Sequence, residues 1–126
     1  MTKVILLIED DPYVQRMYKR MFAHEQYELV FASDGKEGLE LAQRIKPNLI
    51  LLDILMPGIS GLEVLERLKQ EEATKNIPVL ILSNLAGEDT IADAKKLGAE
   101  EYMVKADFSP EQVIEEVNKY MRVPQG

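Results

Sequence analysis

Apolar positions along the chain fall into two alternating patterns. Five short apolar runs recur at intervals: "KVILLI" (3–8), "YELVFA" (27–32), "NLILLD" (48–53), "PVLILS" (78–83) and "EYMVKA" (101–106). The first, third and fourth are continuous rather than alternating in polarity. A strand reads this way when both of its faces are covered, which predicts a parallel sheet. Between the runs the spacing changes to that of one helical face. Val14, Met17, Tyr18 and Met21 fall at i, i+3, i+4 and i+7, and Leu41, Ala42 and Ile45 follow the same rule. So do Leu62, Leu65 and Leu68, then Ile91, Ala94 and Leu97, then Val113, Val117, Tyr120 and Met121.

Punctuation supports these helices. In "SPEQ", Ser109 can cap, Pro110 suits the first turn, and Gln112 can close a capping box. Gly98 follows Leu97 where a left-handed residue would end a helix. Five strand–helix units with short connections predict an α/β fold, an open doubly wound parallel five-stranded sheet with helices on both faces. In such sheets the binding crevice lies at the carboxyl ends of the strands.

Strand ends are therefore the places to look for chemistry. They carry Asp10 and Asp11 after the first run, Asp53 at the end of the third, Ser83 at the end of the fourth and Lys105 in the fifth. "ASDG" after the second offers no obvious reactive group. Each residue has an ordinary structural explanation: Asp11 before Pro12 is a good helix N-cap, Asp53 can start a turn, Ser83 can be a loop hydroxyl and Lys105 a solvated side chain. Their combination is less ordinary. If the first and third strands are neighbours, three carboxylates converge, and each close pair repels by roughly 4 kcal/mol at about 4 Å in a medium of dielectric about 20. A hard divalent cation such as Mg²⁺ stabilises an all-oxygen cluster of this kind. With an ammonium and a hydroxyl beside it, the group suits receipt of a phosphoryl group.

Composition narrows the alternatives. The chain has 126 residues, 46% of them hydrophobic and 29% charged, and its six Pro and seven Gly are scattered rather than gathered into a linker. This is one domain with a real core. A net charge of −7 and a pI near 4.8 leave no basic face for nucleic acid. The absence of Cys removes disulfides, zinc thiolates and thiol catalysis. The apolar runs are far shorter than the roughly 20 residues that span a bilayer. The N-terminus also lacks a secretory pattern, so a cytoplasmic setting is expected.

The stretches "VILLIEDDP", "ILLDILMPGISGLEVL", "VLILSN" and "EYMVKA" resemble the receiver domain of two-component response regulators, over almost the whole chain. The resemblance implies a flavodoxin-like (βα)5 fold with strand order 2-1-3-4-5, a receiver domain over 1–122 and a tail or linker stub over 123–126. It implies that Asp53 is the phosphoacceptor in a phosphorelay, taking a phosphoryl group from a phosphohistidine on a histidine kinase or phosphotransfer protein. Asp11, Asp53 and the Leu55 backbone carbonyl would ligate Mg²⁺, with Asp10 acting largely through water. Lys105 would pair with a phosphoryl oxygen and Ser83 would hydrogen-bond another. Tyr102, three residues before Lys105, would be the aromatic switch, altering a face made by the fourth helix, fifth strand and fifth helix for a downstream protein target. The implied role is that of a phosphoacceptor and not an enzyme, without nucleic acid or membrane contact, as a monomer or weak dimer.

Two departures from the family pattern stand out. Ala106 follows Lys105 where the family usually has a proline in a cis peptide. A non-proline cis bond costs about 3–4 kcal/mol, yet the lysine's need to reach the site favours cis here. Leu55 and Leu85, two residues beyond Asp53 and Ser83, cannot hydrogen-bond an attacking water, so the phosphorylated state is expected to be long-lived. Rival readings fit less well. A flavodoxin needs a Ser/Thr/Gly-rich loop where "EDDP" stands. An aspartate-nucleophile phosphohydrolase needs a second aspartate at Leu55. An interaction module that works unphosphorylated has no need of all five site residues.

Overall fold

A computed structural model describes residues 2–121. Its elements in chain order are β1 (Lys3–Ile8), α1 (Pro12–Met21), β2 (Tyr27–Ala32), α2 (Gly35–Ile45), β3 (Leu49–Leu52), α3 (Gly61–Gln70), β4 (Val79–Ser83), α4 (Glu88–Lys96), β5 (Glu101–Val104), a 3-10 turn (Lys105–Asp107) and α5 (Pro110–Met121). The five strands form one sheet in the order β2-β1-β3-β4-β5, and every neighbouring pair is parallel. This is the flavodoxin-like arrangement. The boundary expected between 122 and 123 lies outside the described residues.

The continuous apolar runs are explained by burial on both faces. Successive strand side chains point to opposite sides, so Leu49 and Leu51 face one way and Ile50 and Leu52 the other, and all four are fully buried. Leu6, Ile8, Ile50, Leu52 and Ile81 pack with Ala42 of α2, Leu65 and Leu68 of α3 and Ala94 of α4. Ile5, Leu7, Leu49, Leu51, Leu80 and Leu82 pack with Tyr18 and Phe22 at α1 and with Val113, Val117 and Met121 of α5.

The expected punctuation is present. The Ser109 hydroxyl accepts from Gln112 N at 3.2 Å while Gln112 Oε1 accepts from Ser109 N at 2.8 Å, the reciprocal box that starts α5. Gly98 takes φ +108° just beyond α4. A second box, unread in the sequence, starts α2: Asp34 accepts from Glu37 N and Glu37 accepts from Ser33 N.

Two expectations are corrected at the carboxyl rim. β5 ends at Val104 rather than 106, because the chain turns into the 3-10 segment at Lys105. The cis peptide expected between Lys105 and Ala106 is not formed; among the described residues no peptide is cis. With alanine in place of proline the trans form is strongly preferred. The 3-10 turn still sends the long Lys105 side chain across the rim to Asp53.

Candidate phosphoacceptor site

Each side chain of the site is set by a strand end. The β-ladder continues one residue past β1 and β3: Glu9 N donates to Ala32 O at 3.0 Å and Asp53 N donates to Ile8 O at 3.1 Å. These bonds fix both backbones where the strands stop. Asp53 is only 6% exposed. Its Oδ1 accepts from Leu55 N at 3.1 Å, and its Oδ2 lies 3.5 Å from Lys105 Nζ. Behind it, the Gly61 N donates to Ile54 O at 3.1 Å. A Cβ at Gly61 would stand 2.4 Å from the Asp53 carbonyl oxygen, so only glycine lets α3 start this close to the strand end.

The acid cluster differs from the expected one by a single residue. Carboxylate oxygens of Glu9, Asp10 and Asp53 lie within 4.8 Å of one another. Asp11 is not among them. It is exposed and caps α1, its carboxylate accepting from Tyr13 N at 2.8 Å, as its position before Pro12 favours. The Asp10–Asp11 pairing is therefore replaced by Glu9–Asp10. The signal for Glu9 was available: it is the first residue after the last buried apolar residue of β1, hence the one at the rim. Gln15 secures this corner, its Nε2 donating to Glu9 O at 2.7 Å.

Lys105 Nζ is shared, 3.5 Å from Asp53 and 3.6 Å from Glu9. One ammonium does not balance three carboxylates. Glu9 is 2% exposed, and burial, followed by hydrogen bonding to and repulsion by Asp53, pushes its carboxyl up to about 8, with Lys105 only partly opposing. A buried carboxyl that retains its proton near neutral pH marks a deficit of positive charge. Hard oxygen donors and this deficit together fit a divalent cation.

Ser83 and Tyr102 sit on the two strands beyond Asp53. Ser83 is fully buried at the end of β4, and its hydroxyl accepts from Leu85 N at 3.3 Å. The Tyr102 hydroxyl donates to Leu85 O at 2.5 Å, and its ring packs at the edge of the core on the α4 side. Burial makes this phenol harder to ionise, pushing its pKa up, and the Ser83 hydroxyl opposes that shift. The Leu85 peptide thus links the two expected switch groups. Leu55 stands 54% exposed beside Asp53, while Leu85 is half-buried.

With this geometry in place, likeness to known proteins is informative. Residues 5–118 match the family described as the response regulator receiver domain, and the chain belongs to it. It is 37% identical over 117 residues to the nitrate/nitrite response regulator protein NarL of Escherichia coli K12, covering 91% of this chain and 53% of NarL. It is 32% identical over 121 residues to the polar-differentiation response regulator DivK of Brucella ovis, covering 96% of this chain and 98% of DivK. The chain spans about half the length of the first of these relatives and nearly all of the second. Among solved structures, the Mn(2+)-bound form of response regulator Rcp1 superposes with a TM-score of 0.83 at 28% identity, covering 97% of this chain and 99% of that one. Receiver domains are signalling modules of two-component systems, generally not enzymes. No described helix is long and apolar enough to cross a membrane.

Proposed function

We propose that Asp53 accepts a phosphoryl group from a phosphohistidine on a histidine kinase or phosphotransfer protein. The observation that carries this reading is the placement of Asp53: a nearly buried carboxylate at a strand end, 3.5 Å from Lys105 and clustered with Glu9 and Asp10. A carboxylate oxygen attacks phosphorus as the N–P bond breaks. The bonding pair goes to the imidazole nitrogen, and the ring leaves neutral with one proton from solvent. Lys105 is poised to meet the phosphoryl oxygens, and Ser83 to donate its hydroxyl proton to one of them. Glu9, Asp10 and Asp53, with the Leu55 carbonyl as a further donor, would hold a hard cation such as Mg²⁺, which when bound supplies positive charge at the phosphoryl oxygens.

The new group adds about −1.5 to −2 charges and three acceptor oxygens at a buried point. When Ser83 turns towards it, the Ser83–Leu85 bond is exchanged, and the Leu85 peptide and the Tyr102 hydroxyl that it holds must readjust. The change then reaches the face of α4, β5 and α5, where a downstream protein would read it. On this reading the exchange takes place in the cytoplasm, the compartment expected from the sequence.

Incubation with acetyl phosphate and Mg²⁺ tests the reading. One phosphoryl group per chain is expected, stable to isolation and absent in Asp53→Asn. Continuous turnover of a phosphate ester that persists in Asp53→Asn would overturn it.

A further inference from the structure

The sheet releases the chain within one residue of the acid cluster. Asp53 N donates to Ile8 O at 3.1 Å and Glu9 N to Ala32 O at 3.0 Å, and the acids of the turn follow at once. The next main-chain acceptor, Glu9 O, is met by a side chain: Gln15 of α1 donates from Nε2 at 2.7 Å. We propose that Gln15 is a positioning residue for the cation site, holding the Glu9–Asp10 peptide so that both carboxylates stand ready for a divalent ion. This role rests on the reading above, in which Glu9, Asp10 and Asp53 hold that ion.

A peptide unit is planar, so Glu9 O and Asp10 N move together. Glu9 lies between two such units. The one before it is tied to β2 through Glu9 N, and the one after it to α1 through Glu9 O. Holding both sets the backbone torsions of Glu9 and the point from which the Asp10 side chain departs. The helix is a firm anchor, because Asp11 caps its start and Val14 and Tyr18 pack into the core. The bond also has a load to resist. Carboxylate oxygens of Glu9, Asp10 and Asp53 lie within 4.8 Å of one another, and like charges so close push apart when no cation sits between them. Lys105 restrains Glu9 and Asp53, at 3.6 and 3.5 Å, while no ion pair holds Asp10 among the described residues. Asp10 is therefore the carboxylate most able to swing outward, and the Gln15 bond secures the peptide on which it is carried.

Titration of the full chain with Mg²⁺, followed by the NMR amide shifts of Asp10 and Asp53, reads cation affinity without any phosphorylation. Gln15→Met keeps the length of the side chain and a good helix former but removes the donor. It should weaken Mg²⁺ binding about tenfold, and Gln15→Ala should do at least as much, which keeps the test open should either variant fold poorly. Val14→Ala, on the same helix and half-buried against the core, should lower resistance to urea yet leave Mg²⁺ affinity within about twofold of the unmodified chain. With acetyl phosphate, Gln15→Met should raise the Mg²⁺ concentration giving half-maximal rate about tenfold and hold the rate at saturating Mg²⁺ within about twofold. Unchanged affinity in both Gln15 variants overturns the proposal, as does an equal loss in Val14→Ala, which would make the effect one of stability alone. If the unmodified chain binds no Mg²⁺, or binds it equally well as Asp10→Asn, the cation reading itself fails and the role of Gln15 falls with it.

Discussion

The ends of β1 and β2 lie next to each other, and each runs into a helix through a short acidic turn. "EDDP" leads into α1 and "SDG" into α2, and in both an aspartate supplies the cap: Asp11 accepts from Tyr13 N and Asp34 from Glu37 N. Only the first turn joins the acid cluster around Asp53. β1 is flanked by β2 and β3, so Glu9 and Asp10 look across to Asp53, whereas β2 is an edge strand with a neighbour on one side alone. Similar local chemistry therefore serves structure at one strand end and, in the proposed function, a reactive site at the next. Position in the sheet decides which.

Substitutions can test that division, beginning where the effect should be largest. Glu9→Ala and Asp10→Ala should each slow Mg²⁺-dependent phosphorylation by acetyl phosphate by at least about tenfold, measured as initial rate at subsaturating Mg²⁺. Asp34→Ala should leave that rate unchanged. Leu55→Asn and Leu85→Glu come next: by admitting a water-binding group beside the acyl phosphate, each should speed dephosphorylation several-fold. No acceleration in either would end the idea that these leucines prolong the phosphorylated state.

The pH dependence of stability separates the two turns in another way. The folded-state Glu9 carboxyl is raised from 4.5 to about 8. The folded protein therefore binds this proton more tightly than the unfolded chain does. The resulting stabilisation is full below pH 4.5 and is lost as pH rises through 8. Metal-free protein should accordingly lose urea resistance over that window. Glu9→Gln should flatten the decline, and Mg²⁺ should oppose it, while Asp34→Ala should leave its slope intact. The smallest effect is expected at the caps themselves. Asp11→Ala and Asp34→Ala should each cost about 1 kcal/mol in urea unfolding. If Asp11→Ala instead abolished phosphorylation as Asp10→Ala should, the distinction between cap and cluster would fail.

What could be read in advance tracks how locally each feature is determined. β1, β3 and β4 were plain because two covered faces leave an unbroken apolar run, and the box at Ser109 was plain because it involves four consecutive residues. The placement of Asp53, Ser83 and Lys105 on one rim is legible because strand ends in such sheets share one edge. Glu9, which the strand-end reading passes over in favour of Asp10 and Asp11, is harder to see, since it depends on where β1 stops and α1 starts, a matter of one residue in an acidic stretch. Gly61 gave no local signal at all. Its need for a bare Cα comes from the Asp53 carbonyl, which belongs to a different element. The Lys105 turn was misjudged because the family's proline was taken to specify the reach of the lysine, when the length of the side chain suffices.

The Leu85 peptide holds Ser83 through its N–H and Tyr102 through its carbonyl. Both attachments use the main chain, which every residue except proline supplies in the same form. The side chain at 85 can therefore change while the two hydrogen bonds that join hydroxyl and ring stay the same. If the proposed roles hold, clock and wire would share a residue without sharing atoms, and selection would retime the response here without redrawing the circuit.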